Sequence, residues 1–169
     1  MQVWLGLGSN RQNPDARLRE ALDHLGHVDG IGVTGVSSFY RTPPWGDEQQ
    51  DDFINAVVSI ETALEPLALL AETQAIETRM GRKRSNRRWG PRIIDIDLLL
   101  YGDMTCSLDG LKIPHPRMHD RAFVLVPLAE LDASLEIPGY GRVGELLKDM
   151  DCSDIHRLGV VVASGTEDV

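Results

Sequence analysis

Residues 89–102 read WGPRIIDIDLLLYG, and this stretch decides the fold. A strand buried on both faces is a near-continuous run of Val, Ile and Leu, and residues 93–101 fit that description except at Asp95 and Asp97. Alternate side chains of a strand share a face, so the two carboxylates point the same way, ~6.6 Å apart along the chain. Desolvating one carboxylate is expensive, and two beside each other also repel. The run makes sense if something cationic sits between them.

Immediately upstream lies RMGRKRSNRRWGPR, with Arg79, Arg82, Lys83, Arg84, Arg87, Arg88 and Arg92 crowded into a chain whose formal net charge is -9. A charge run of this kind is ordinarily a solvated loop. Here it leads straight into the paired aspartates, contains Trp89, and leaves through Gly90-Pro91, which fixes its direction. Guanidinium groups bind phosphate bidentately. Mg²⁺ takes one or two carboxylates and completes its octahedron with waters and phosphate oxygens. Two Mg²⁺ ions ~3.5–4 Å apart would suit the Asp95/Asp97 pair and clamp both sides of an in-line displacement. The plainer alternative is that one aspartate pairs with a local arginine while the other faces water.

Further out, the pattern predicts short alternating elements. Residues 2–8 form a first strand ending in a Gly-Ser-Asn turn. A helix opens with Asn13 as N-cap and Pro14 at its first position, with Leu18, Ala21, Leu22 and Leu25 as its apolar stripe. Strands follow over 35–40 and 53–62, separated by the loop TPPWGDEQQDD. A second helix starts near Pro66, with Leu67, Leu70 and Ala71 on one face and Gln74 and Glu77 continuing the row. The 93–101 strand and a mixed β/α ending complete the chain. Strand-helix-strand-strand-helix-strand is the ferredoxin-like order, an α+β sandwich with an antiparallel sheet and helices on one face.

With 169 residues, 42% apolar and 25% charged, the chain reads as one globular domain spanning 1–169. Its acidity opposes nucleic-acid and anionic-membrane partners. Cys106 and Cys152 are too few and too distant for a disulfide framework, and no run approaches membrane-spanning length; a cytoplasmic protein is expected. GLGSNR is an incomplete dinucleotide fingerprint, read as a strand-end turn, and no GxxxxGK[ST] occurs. His115, flanked by Pro114 and Pro116, reads as a loop histidine that touches phosphate or ribose.

GPRIIDIDLLLYG resembles the signature of the 6-hydroxymethyl-7,8-dihydropterin pyrophosphokinases. GLGSN, SSFYRTPPWG, FINAVV, QAIETRMGR and IPHPRMHDRAFVLVPLAEL also look like segments of that family, in family order over roughly residues 2–150. The resemblance implies a ferredoxin-like monomer that takes pyrophosphate from ATP with two Mg²⁺ ions and releases AMP. It implies metal-binding Asp95 and Asp97; by position, Asp97 is also the nearest candidate to take the hydroxymethyl proton. Arg82 and Arg92 would meet the phosphates and the migrating group, and Arg84 and Trp89 the closing part of a lid. Gln74, Glu77, His115 and Arg121 would support or contact the nucleotide. For the pterin it implies stacking on Phe123 and Phe53, an edge-reading amide at Asn55, and loop contacts from Thr42, Pro43 and Trp45. Phe53 stands where some members carry tyrosine, and Pro116 where some carry an aromatic residue.

Two other classes compete. A nucleotidyl-handling enzyme on a ferredoxin-like core would also use paired acids, but would not need the aromatic and amide residues at 53, 55 and 123. A non-catalytic effector-binding module would bind ligand without consuming ATP.

Overall fold

The structure, a computed structural model, describes residues 1–44, 49–83 and 91–159. Strand β1 (Gln2–Ser9) opens the chain and becomes the middle of the sheet. Val3, Leu5 and Leu7 enter one core, and Trp4 enters a second core on the opposite face. Helix α1 (Pro14–Gly26) begins as the sequence predicts: Ala16 N–H donates to Asn13 Oδ1 at 3.5 Å, and Pro14 holds the first turn. Leu18, Ala21 and Leu25 are fully buried against the sheet, each leucine stabilising the fold by about 1.5–3 kcal/mol.

The strand expected over 35–40 is in fact two, β2 (Ile31–Val36) and β3 (Phe39–Thr42). Ser37 makes the break. Its N–H donates to Val57 O at 2.9 Å and its hydroxyl accepts from Val57 N–H at 2.9 Å. Ser38 turns away instead, its N–H and hydroxyl both donating to Glu130 Oε1, at 3.0 and 2.7 Å. Strand β4 (Phe53–Thr62) fills its expected range and pairs antiparallel with β1, β2 and β3.

Helix α2 (Pro66–Arg79) starts where expected but turns a different face inward. Leu69, Thr73, Ile76 and Glu77 are buried, whereas Leu67, Ala71 and Gln74 are exposed. Leucines at 67, 69 and 70 cover so much of the circumference that apolar spacing cannot choose a face. Thr73 tolerates the inward place because its hydroxyl donates to Leu70 O at 2.9 Å within the helix.

Strand β5 (Asp95–Tyr101) pairs antiparallel with β1. The register slips between Trp4, opposite Leu100, and Leu5, opposite Leu98. Leu99 is the extra residue, and Leu99 and Leu100 both reach the second core through this bulge. A small hairpin follows, β6 (Cys106–Leu108) and β7 (Leu111–Ile113), and then helix α3 (Ala122–Asp132). The last elements are β8 (Glu136–Ile137), β9 (Gly141–Arg142), α4 (Val143–Leu147) and β10 (His156–Gly159), the last pairing with β3.

The main sheet runs β10-β3-β4-β1-β5, with β2 also on β4. This is the ferredoxin-like α+β arrangement, with one correction: helices cover both faces. Helices α1 and α2 pack over the core of Val3, Leu5, Val58, Ile60 and Ile96. On the other side Val124, Leu125 and Leu128 of α3 pack on Trp4, Val57, Leu99 and Leu100. The second layer follows from β1, β4 and β5 being apolar on both faces, which a single helical layer leaves half exposed to water. At the end of the sheet where Gly8, Asn55 and Asp95 lie side by side a cavity opens, bordered by Phe123 and Val124 from the start of α3.

Candidate active site

The cavity has a volume of about 310 Å³ and is built on three adjacent strands. Across them the register places Asn55, Gly8 and Asp95 in one row and Val57, Gly6 and Asp97 in the next. With no side chain on Gly6 or Gly8, the floor between the amide of β4 and the carboxylates of β5 is bare backbone. GLGSN thus carries the last residues of β1, which runs one residue further than the sequence suggests, to Ser9, before the chain turns at Asn10. Glycine at alternate positions of a strand, which marks a close backbone approach, was the signal for this floor.

Thr42, Pro43, Phe53, Asn55 and Phe123 line the cavity, and so do Arg82, Arg92, Asp95, Asp97, His115 and Arg121. Glu77 does not line it. It is buried behind Arg82, which donates Nη1 to Glu77 Oε2 and also to Asp95 Oδ1, the latter at 2.8 Å. Ile96 N–H donates to the same Glu77 oxygen at 3.4 Å. Gln74 is exposed on α2 and away from the cavity. Trp45, Arg84 and Trp89 lie outside the described residues.

Charge dominates one end. Burial first, and the neighbouring Asp95 second, push Asp97 up to about 7, against the opposite pull of Arg121, Arg82 and Arg92. Three guanidinium groups thus do not suffice for the second carboxylate, which favours a further cation. Among the described residues, no group of three or more acidic, histidine or cysteine side chains could hold a metal by itself. Two carboxylates are nevertheless what Mg²⁺ takes from a protein when substrate phosphates supply its other oxygens, and the donor set fits that role. Arg121 adds a buried Nε–H without an acceptor in the structure, which an anionic ligand would satisfy.

His115 stands beside these groups, held by its N–H donating to Leu99 O at 2.9 Å. Burial, then Arg121, push its imidazole down to about 4, so it is neutral near pH 7. Arg117 N–H donates to its Nδ1 at 3.2 Å, which puts the proton on Nε2. That nitrogen is then a donor to an oxygen or ring nitrogen of a ligand.

The other end is aromatic and neutral. Phe53 and Phe123 line the cavity with Asn55, whose Nδ2 donates to Thr42 Oγ1 at 2.6 Å. This bond orients the amide and leaves Oδ1 to accept from a ligand N–H. The guanidinium of Arg121 lies 5.5 Å from the Phe123 ring centroid, joining the two ends.

Asn10, missed in the sequence, ties the surrounding segments together. It is only 3% exposed. Its Oδ1 accepts from Arg92 N–H at 2.8 Å, and its Nδ2 donates to Gln50 Oε1 at 2.9 Å and Asp51 O at 3.0 Å. Its own N–H donates to Arg92 O at 3.1 Å. The backbone of Arg92 and the end of the 43–52 loop are thereby fixed to the end of β1.

A cavity with a cation-seeking carboxylate pair and arginines at one end, and an amide with aromatic rings at the other, suits a polyphosphate beside a flat heterocycle. On an α+β sandwich this defines a phosphoryl-transfer class of protein. Residues 4–133 match the family described as 7,8-dihydro-6-hydroxymethylpterin-pyrophosphokinase. The chain is 48% identical over 157 residues to the 2-amino-4-hydroxy-6-hydroxymethyldihydropteridine pyrophosphokinase of Methylorubrum extorquens, covering 93% of this chain and 98% of that one. It is 43% identical over 146 residues to the enzyme of the same name from Haemophilus influenzae, covering 86% and 91%. The chain belongs to the 7,8-dihydro-6-hydroxymethylpterin-pyrophosphokinase family. Among solved structures it is similar to wild-type HPPK-DHPS of Plasmodium falciparum with pteroate, with a TM-score of 0.69 at 17% identity. That likeness covers 87% of this chain but only 42% of the other, and it bears on the fold.

Proposed function

We propose the following division of labour for the transfer of pyrophosphate from ATP to 6-hydroxymethyl-7,8-dihydropterin, the folate-synthesis reaction of this transferase family. The observation that carries it is the single cavity with carboxylates and arginines at one end and an aromatic-amide slot at the other. The pterin ring lies between Phe53 and Phe123, with Asn55 Oδ1 accepting from its N–H edge and Thr42 and Pro43 closing its side. ATP lies toward Arg82, Arg92, Arg121 and His115. Glu77 acts through Arg82, which it orients. Gln74, by its exposure, contacts only the outer part of a nucleotide. Trp45, Arg84 and Trp89 are assigned from the family resemblance.

Asp95 and Asp97 would hold two Mg²⁺ ions, with substrate phosphates supplying further oxygens. Bound there, the metal would neutralise the triphosphate and lower the pKa of the attacking hydroxyl. The chain's own residues do the rest. Arg82 and Arg92 meet charge on the migrating and bridging oxygens as the bond to the β-phosphorus breaks and AMP leaves. Asp97 receives the hydroxymethyl proton. Positioning matters more than base strength, because the transition state is loose. In this reading the protein acts as a monomer of one domain in the cytoplasm, with small molecules as its partners.

The test is AMP formation from ATP with Mg²⁺, with and without hydroxymethyl dihydropterin. AMP that appears only with the pterin supports the reading. AMP at equal rates in both, or none in either, refutes it and favours another nucleotide-handling enzyme or a binding module.

A further inference from the structure

We propose that Gly8 is a specificity-determining residue for the ring-bearing substrate, because its missing side chain keeps the Asn55 carbonyl open to the cavity. The inference rests on the reading of the amide end as the pterin slot.

Gly8 sits in the middle of a regular antiparallel row, between Asn55 on β4 and Asp95 on β5. Glycine is not needed there for the backbone, since Gly8 is not among the residues with positive φ. Space is the reason. A Cβ at Gly8 would stand 2.8 Å from Asn55 Oδ1, with the next atom, Phe53 Cδ1, at 3.8 Å. Asn55 has little freedom to give way. It is 8% exposed, and its Nδ2 is tied to Thr42 Oγ1 at 2.6 Å. A methyl group at position 8 therefore has two outcomes. Either the amide swings off Thr42, or Oδ1 is capped by the methyl and no longer meets a ligand N–H.

The neighbouring floor glycine makes a useful contrast. A Cβ at Gly6 meets only the Leu99 side chain, at 3.5 Å, which is ordinary contact. The two glycines thus differ in what they exclude. Gly6 borders an aliphatic side chain, whereas Gly8 borders the one amide that reads the ring edge. Selectivity for a ring with an N–H edge would be set by this pair, Gly8 and Asn55, as a unit.

The experiment is a double-mutant cycle of Gly8→Ala, Asn55→Ala and both together. It reads the KM for the hydroxymethyl dihydropterin at saturating Mg-ATP, the Kd for a non-hydrolysable ATP analogue, and thermal unfolding. Gly8→Ala is expected to raise the pterin KM about tenfold or more, the scale of one hydrogen bond lost, while the analogue Kd stays within about twofold. In the Asn55→Ala background the added methyl should cost nothing further, because Oδ1 is gone. An unchanged KM, losses that multiply in the double variant, or an equal loss of nucleotide affinity would each overturn the proposal. If Gly8→Ala alone does not fold, the double variant is expected to fold again, and its failure to do so would equally overturn it. Wild-type turnover in the same assay separates the cases, since a wild type inactive toward the pterin sinks the functional reading itself.

Discussion

Replacing Asp97 by Asn should stabilise the protein in the absence of metal and nucleotide, and more so as the pH rises. Burial and the Asp95 charge raise Asp97 from 3.8 to about 7. Below 3.8 the carboxyl is protonated in both folded and unfolded chains, and the substitution gains nothing from ionisation. Between those values the unfolded chain ionises while the folded one keeps its proton, so native stability falls as pH rises. Above about 7 the loss is complete. At about 1.4 kcal/mol per pH unit, that interval sets a ceiling of about 4 kcal/mol. Asp97 is partly open to the cavity, and the three arginines can turn toward it, so about 2 kcal/mol is the expected gain at pH 8. For a chain of this size that is roughly 4–8 °C in Tm. The gain should shrink as the pH falls through that interval and vanish below about 3.8. Thermal unfolding in chelator across pH 5–8 measures the effect. Mg²⁺ with an ATP analogue should reverse the order, because only the wild type gains the ligand's stabilisation. A gain for Asp97→Asn that is the same at pH 5 and pH 8, or a loss at both, would refute the reasoning and show a carboxylate already satisfied by its arginines.

Three further outcomes are expected. His115 should not titrate between pH 5.5 and 8 in the ligand-free protein, and nitrogen chemical shifts should report the proton on Nε2; an imidazole titrating near 6.5 would contradict its burial. Glu130→Ala should destabilise by about 2–4 kcal/mol in denaturant titration, because Ser38 N–H, Ser38 Oγ and Tyr40 OH all donate to that carboxylate. Burial alone would raise the pKa of Glu130, but those bonds outweigh it, while Tyr40 is pushed up to about 12. Asn10→Ala should lower kcat by about tenfold or more while leaving Tm within a few degrees, since it frees the Arg92 backbone more than it opens the core; a large Tm loss with kcat intact would make Asn10 a stability residue only.

The first, fourth and fifth strands and the start of both long helices were legible because each carries a local signal. Asn13-Pro14 caps α1, and two polar residues in an aliphatic run marked β5. The split at Ser37-Ser38 was not legible, since its cause is Glu130, far along the chain. The inward face of α2 was misjudged because leucine lies on most sides of that helix, while Thr73 and Glu77 occupy buried places. In the site, charged and aromatic residues announce themselves by type. Gly6 and Gly8 carry only the weaker signal of alternating glycines and Asn10 none, because a bare floor and a hydrogen-bonded node take on meaning only when β4 and β5 are laid on either side of β1.

That central place of β1 also governs how the molecule is made. Strand β1 is enclosed late: its β4 neighbour begins at Phe53, and its other edge stays open until Asp95–Tyr101 arrives. Until then VWLGLGS presents an apolar, unpaired edge of the kind that recruits other chains. Closing it requires contacts between distant parts of the sequence, which makes that step slow. Insertion of β5 is also what desolvates Asp97 beside the charge of Asp95. Mg²⁺ or acid pH during refolding would therefore speed the closing step and suppress aggregation, while chelator at alkaline pH would hold the nascent sheet open.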